Sequence, residues 1–512
     1  MNKIYSSLSL ILLLLTLGSC DSMFDNEIPP HDLVGDNAIT SESSAKVALN
    51  GVYSYLEGWG TWSAYYICDN EFRTGLLDPT AFYRSKTEGE QLPRLQVLDD
   101  NSDAENPWKS GYKIVNSANN FIYYTDRLPE SAFGPNRKTE MLAEARFLRG
   151  FAHAFLLRKY GYFWDLDSRL GTIIRLEPSS LSNNNQARAT VKESYEKIFE
   201  DLDYAIKYAP AFYSRYRVCA TFAKAFKADL LMNRGADGDY SEAIRLANEV
   251  IGSAEFGMED TYADIFQHGY DSKELLFTRF MKNPPAMDDN VGSLFKMFGG
   301  GTYQPSSAYL AVFPEEDPRY EVTFDSLEFT NLNGEKYKRQ IWKKHYVSTG
   351  DCPMYYMRVA QMYLIKAEAM LRTDSPVKDV VDVLNIVRNR AGATPLKASD
   401  YPDRESLMNE IFNENLREIG MENGALYYLA VRMRVGGKRL LKTWNDNYEK
   451  DDQNNCGTED QQHGITQVQE RSFCGIAVSP VFCPACLFFD IISYNRTPSL
   501  AQGYIMVFLK KP

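Results

Sequence analysis

Several residues in this chain have the right type for covalent or metal chemistry, but not the spacing that such chemistry needs. Cys483-Pro-Ala-Cys486 is a close thiol pair, yet a zinc site requires two more ligands at matching spacing, and Cys456 and Cys474 do not supply it. Asp237-Gly-Asp239 offers carboxylates to a cation, but a turn between two helices explains the same residues. Gly436-Gly437-Lys438 runs into Arg439 where a phosphate-binding loop needs Ser or Thr, and neither Gly-x-Ser-x-Gly nor His-Glu-x-x-His occurs. The five His (31, 153, 268, 345 and 463) are scattered, and His153 falls inside an apolar helical stretch, where a hydrogen-bonded structural role is expected. Acidic pairs such as Glu315-Glu316 are too common among 68 Asp and Glu to single out a glycosidase dyad. No catalytic residue and no cofactor are therefore expected. A structural calcium stays open without support.

One thiol does sit in a reactive context. Lys3 is followed by the apolar run Leu8-Ser9-Leu10-Ile11-Leu12-Leu13-Leu14-Leu15 and then Leu17-Gly18-Ser19-Cys20. The run is shorter than the roughly 20 residues of a spanning helix, so residues 1–19 read as an export signal. Its end resembles the lipobox of bacterial lipoproteins, with small residues before the cut and a nucleophilic thiol, Cys20, that is lipidated after it. Each buried CH₂ contributes about 0.8 kcal/mol, so several acyl chains hold where one is marginal. Residues 20–37, acidic and Pro-bearing, form a tether, and 38–512 form one body. The seven further Cys (68, 219, 352, 456, 474, 483 and 486) are an odd set, so at least one is free or bonded outside the chain.

Composition narrows the rest. With 512 residues, 24% charged and 44% hydrophobic positions, the chain can bury a large core, which excludes disorder and a polytopic membrane protein. A net charge of −12 argues against a nucleic-acid partner. The 33 Tyr, 28 Phe and 6 Trp, 13% of the chain, require an aromatic core or a surface that uses rings.

The elements that must carry these residues are mainly helical. Leu148, Phe151, Ala152, Phe155 and Leu156 recur at helix spacing within 140–160, with Thr139 placed as cap. Thr190-Val-Lys-Glu193 has capping-box spacing and opens a helix to about Tyr208. Two more helices, 219–232 and 241–251, are joined by a turn holding Gly235 and Gly238, and 355–371 is followed across Asp374-Ser375-Pro376 by a helix with Val377, Val380, Val381, Leu384 and Val387 on one face. Such Ala-rich pairs predict a tetratricopeptide-like helical-repeat scaffold. Loop-rich, partly β insertions interrupt it near 58–106 and 262–349, and loops on rigid scaffolds carry binding functions. Glu144, Arg146, Arg149, Arg388 and Arg390 lie on core-periodic helices and are expected to form salt bridges between them.

Glu144-Ala-Arg-Phe-Leu-Arg-Gly-Phe-Ala-His-Ala-Phe-Leu-Leu-Arg-Lys-Tyr-Gly161, Met357-Arg-Val-Ala-Gln-Met-Tyr-Leu-Ile-Lys-Ala-Glu-Ala-Met370 and Leu384-Asn-Ile-Val-Arg-Asn-Arg-Ala-Gly392 resemble motif helices of the SusD/RagB family of Bacteroidetes outer-membrane nutrient-binding lipoproteins. Ser41–Tyr53 and Glu410–Glu418 fit its first and late helices, and acidic residues after Cys20 resemble a surface-export signal. The resemblance implies a SusD-like fold and a lipid-anchored protein of the outer membrane, facing the cell exterior. It implies capture of oligosaccharide and delivery to a SusC-like TonB-dependent transporter, without chemistry on the ligand. A peptide ligand, as in RagB-like members, and a helical-repeat scaffold that binds only proteins are the alternatives. Sugar rings lie on aromatic faces and their hydroxyls need polar partners. The positions implied for ligand contact are Trp59, Trp62, Tyr65, Tyr66, Asp69, Asn70, Arg73, Phe82 and Tyr83 in the first insertion, and Tyr303, Tyr309 and Trp342 in the second. From about Gly436 the tail departs from the family pattern.

Overall fold

Capping chemistry fixes where the helices of this chain begin. The computed structural model describes residues 38–57, 64–78, 102–180, 182–279, 303–330, 333–345 and 353–444. Beyond residues 38–40, the described residues fall in a compact unit that spans Ser41–Ala477. The first helix, α1 (Glu42–Ser54), opens on a reciprocal box in which Ser41 accepts the Ser44 N–H at 3.3 Å and donates its own N–H to Ser44 Oγ at 3.0 Å. Next come α2 (Ala64–Thr74), α3 (Ser102–Asp126) and α4 (Arg137–Tyr160). Helix α4 starts before Thr139, contrary to the sequence expectation: its N-cap is Asn136 at φ 64°, a left-handed conformation that Asn tolerates. Thr190 does form the expected box that opens α5 (Val191–Tyr208), accepting the Glu193 N–H at 3.2 Å while Glu193 takes the Thr190 N–H at 2.8 Å.

The pair α6 (Ala220–Arg234) and α7 (Asp239–Ile251) is separated by Gly235 and Gly238, both at positive φ. After α8 (Tyr262–His268), strand β1 (Leu275–Phe277) enters the second insertion. There β2 (Phe324–Thr330) and β3 (Lys336–Trp342) form an antiparallel hairpin, and β4 (Met357–Arg358) returns to pair with β1. Leaving and returning side by side, the insertion lets the helical stack continue with α9 (Val359–Arg372) and α10 (Val377–Ala391). The chain goes on through α11 (Arg404–Ile419) and α12 (Ala425–Arg432) to a short hairpin, β5 (Arg434–Val435) and β6 (Lys438–Arg439). Gly436 and Gly437, at φ 60° and 73°, turn that hairpin as a two-residue loop requires.

Packing follows chain order. Helix α3 lies on α4, α4 on α5, α5 on α6, α6 on α7, α7 on α9 and α9 on α10. This is the helical-repeat arrangement expected. Small residues set the closest approach: a Cβ at Gly150 would stand 3.0 Å from Asp201 Cβ on α5. Much of the aromatic content is spent here, since Phe147, Phe151, Phe222, Phe226 and Phe277 are all buried and in ring contact, with Phe222 and Phe277 stacked at 4.6 Å. Arg149 grips Asp201 with bonds of 2.8 and 2.7 Å, an interhelical salt bridge as expected. Glu144 accepts the Tyr53 hydroxyl at 2.6 Å with Arg217 at 3.9 Å; burial outweighs these partners and raises its carboxyl to about 6. Arg146 departs from expectation, lying over the Tyr204 ring at 4.1 Å, because the neighbouring helix presents a ring there.

Candidate functional site

Helix α2 carries the described part of the first insertion. It is seated on α12 and on the turn that precedes it. Asn70 Nδ2 donates to Gly424 O at 3.0 Å, and Arg73 Nη2 donates to the Tyr427 hydroxyl at 2.7 Å with its guanidinium 4.1 Å from the centre of that ring. Just past α2, Leu77 pairs with Pro305 in an antiparallel bridge: Asp78 N donates to Gln304 O at 2.9 Å and Ser306 N to Leu76 O at 2.8 Å. Phe72 meets Tyr303 edge to face at 5.3 Å. The two insertions, far apart in sequence, are thus joined at one place.

The sequence-derived positions divide into three groups. Trp59, Trp62, Phe82 and Tyr83 lie outside the described residues, and Tyr65 and Tyr66 fall on α2, where the backbone alone is described. Arg73 is partly exposed at the α2–α12 contact. The remaining five correct the expectation. Asp69 and Asn70 are buried; Asp69 lies 3.9 Å from Lys159 and Asn70 is spent on Gly424, so both seat the helix. Tyr303, Tyr309 and Trp342 are each no more than 1% exposed. Tyr309 stacks on Trp342 at 5.4 Å and donates its hydroxyl to Leu416 O at 2.8 Å, and both rings close on Phe324. These rings anchor the second insertion to the scaffold, and their faces are taken.

The more accessible rings of that insertion lie elsewhere, Tyr337 exposed and Phe329 half-buried. In the β2–β3 register Leu327 faces Arg339 and Phe329 faces Tyr337. Phe329 and Tyr337 stack at 5.9 Å, with the Arg339 guanidinium 5.2 and 5.1 Å from their centroids. Sequence reasoning passed over them, although the alternation of Leu327 with Phe329 and of Tyr337 with Arg339 is a strand signal.

At the base of the second insertion lies a buried ionic network. Among the described residues, six cations (Arg319, Lys344, Arg358, Arg388, Arg390 and Arg417) meet six carboxylates (Glu274, Asp317, Glu410, Glu414, Glu418 and Glu422). Arg358 sits near its centre: its guanidinium donates to Glu422 at 2.7 and 3.0 Å, to Glu418 Oε1 at 3.0 Å, to Glu418 O at 2.8 Å and to Glu274. Arg388 and Arg390 belong to this network and bridge α10 to α11, as expected of them. Its members come from α10, α11, the α11–α12 turn and the base of the second insertion. It therefore fixes the insertion relative to the helices.

Groups with apparent chemistry are otherwise committed. Asp239 is tied to Arg234 at 2.8 and 2.6 Å and to Ala236 N at 2.8 Å, so the turn uses this carboxylate. His153 Nε2 accepts the Arg175 N–H at 3.2 Å, and burial lowers its pKa to about 3, leaving it neutral. Burial raises the Cys219 thiol to about 11. Cys20 and the Cys-rich tail lie outside the described residues. Among the described residues no cluster of His, Cys, Asp and Glu is arranged to hold a metal ion, and no helix is long and apolar enough to cross a membrane.

A helical-repeat scaffold that presents two joined insertions defines a class of binding protein. Comparison with known proteins gives the family. A model described as SusD family matches residues 328–474, and one described as starch-binding, associating with outer membrane, matches residues 32–228. The chain belongs to the SusD/RagB family. It is similar to SusD-like protein P2 of Formosa agariphila, 23% identical over 477 residues that span 84% of this chain and 91% of the relative. Its fold matches a SusD superfamily protein from Parabacteroides distasonis with a TM-score of 0.67 and 19% identity, covering 85% of this chain and 98% of the other. It also matches a SusD-like carbohydrate binding protein from Bacteroides vulgatus with a TM-score of 0.65 and 17% identity, covering 77% and 84%.

Proposed function

We propose that this chain is a lipid-anchored capture protein of the outer membrane, facing outward. On this reading it binds an oligosaccharide where its two insertions meet and passes it to a SusC-like TonB-dependent transporter. The observation that carries the reading is the Leu77–Pro305 bridge, which joins the insertions beside a helix that includes Tyr65 and Tyr66 and is flanked in the chain by Trp59, Trp62, Phe82 and Tyr83. Rings of this kind suit the flat C–H faces of sugars, and Arg73, partly exposed on α2, suits hydroxyl oxygens. The starch-binding description of the model over 32–228 and the carbohydrate-binding neighbour support the ligand class. Anchoring rests on Cys20 and its lipobox.

A broad array of plant, algal and host oligosaccharides, probed with the mature chain, tests the ligand class. Binding confined to one structural class is expected. Binding to mixed oligopeptides with none to sugars would replace the ligand with peptide, and binding to neither would favour a scaffold for proteins. Co-purification with a β-barrel transporter from native membranes tests the delivery step.

A further inference from the structure

We propose that Glu71 is a proton-dependent latch: as the neutral acid it seats α2 on the turn between α11 and α12, and its ionisation unseats α2 together with the joint between the insertions. Seating of α2 requires no ligand; its consequence for capture rests on the proposed function above.

Glu71 lies in the middle of α2 with no exposed surface, and neither carboxyl oxygen has a well-formed hydrogen bond. Its neighbours on α2 are already engaged: Asp69 with Lys159, Asn70 with Gly424 and Arg73 with Tyr427. The groups that face it from other elements are Lys344, in the turn after β3, and Tyr309; behind Lys344 stand Glu422 and Tyr262. Lys344 is the cation whose charge acts on Glu71, and it already donates to Glu422 at 3.0 Å. The network beside it pairs six cations with six carboxylates, so a charged Glu71 would be a seventh carboxylate in a dry interior. An uncompensated buried charge of that kind is strongly unfavourable, whereas the neutral acid is tolerated.

The seat is itself a feature that can move. Met421 is a buried non-glycine residue at φ 62° and Gly424 stands at φ 66°, so the turn under α2 holds backbone strain that only good packing maintains. Burial is the main influence on Glu71, offset in part by Lys344 and the Met421 N–H, and it raises the carboxyl to about 8. The sign follows from linkage. A carboxyl that is harder to ionise when seated loses seating energy as pH rises from its ordinary range near 4.3 to about 8, and no more above that.

Backbone amide exchange of α2 in the mature chain, corrected for the intrinsic rate, reads the latch directly and uses no glycan. From pH 6.5 to pH 9 the linkage gives roughly a thirty-fold rise in opening of α2, levelling off above pH 9, while α4 and α5 stay unchanged. Glu71→Gln keeps the shape without the titration and is expected to remove this rise. Glu71→Met, equally long and unable to ionise, should behave the same way and carries the comparison if Gln disturbs folding. An α2 opening that rises equally in wild type and either folded variant would overturn the latch, as would a wild-type α2 insensitive to pH. Failure of the glycan array would leave this result standing, so the two proposals fail separately.

Discussion

Replacing Arg358 with Leu is the sharpest test of what holds the second insertion in place. The guanidinium is fully buried and bonds to Glu422, Glu418 and Glu274, and also to the Glu418 carbonyl. Leu would fill part of the space but leave five cations facing six carboxylates. Removing one partner from such a buried set costs about 3–5 kcal/mol. The loss should depend on pH in a defined direction. Burial alone would raise the Glu422 carboxyl, but Arg358 and then Lys344 outweigh it and hold the value at about 2. In wild type that stabilisation is complete above the ordinary Glu range and is lost as pH falls through about 2. Without Arg358 the Glu422 carboxyl loses its main stabilising charge and titrates at higher pH, so the deficit is largest near pH 8 and shrinks toward pH 5. Urea unfolding followed by tryptophan fluorescence measures it, with the midpoint shifted and the slope unchanged. Adding Glu274→Leu restores equal charge and should recover part of the loss. A deficit below about 1 kcal/mol, or one equal at pH 5 and pH 8, would refute the reasoning.

Two further substitutions probe local packing. In Gly420→Ala the new Cβ would press on the Tyr309 hydroxyl and stand 2.7 Å from Leu416 O, so a loss of about 1–3 kcal/mol is expected, read as a lower melting temperature. Thr190→Ala removes one half of the α5 capping box and should cost about 1 kcal/mol in urea unfolding, without affecting ligand binding.

The scaffold was legible in the sequence because its signals are local. Helix periodicity in 140–160, the Thr190-x-x-Glu193 box and the glycines before α7 all act within a few residues. Where a local signal had a local competitor it misled: Thr139 is a good cap, but Asn136 in a left-handed conformation starts α4 first. The positions expected to touch ligand were less legible because burial is a long-range property. Tyr309 looks like a loop aromatic until α11 offers it Leu416 O, and Trp342 until β3 closes on Phe324 and Tyr309. Asn70 is a plausible sugar partner by type, yet Gly424, distant in the chain, claims it. Arg388 and Arg390 were readable as structural because their flanks are core-periodic, whereas the full network required the fold.

Calorimetric titration of the mature chain with the oligosaccharide class found on the array, comparing wild type with Trp62→Ala/Tyr66→Ala, tests the central claim most directly. Each lost ring contact is worth about 0.5–1.5 kcal/mol beyond area, so a weakening of about fivefold or more is expected at an unchanged melting temperature. Unaltered affinity in the double variant, or no saturable binding of any glycan by the wild type, would contradict the account.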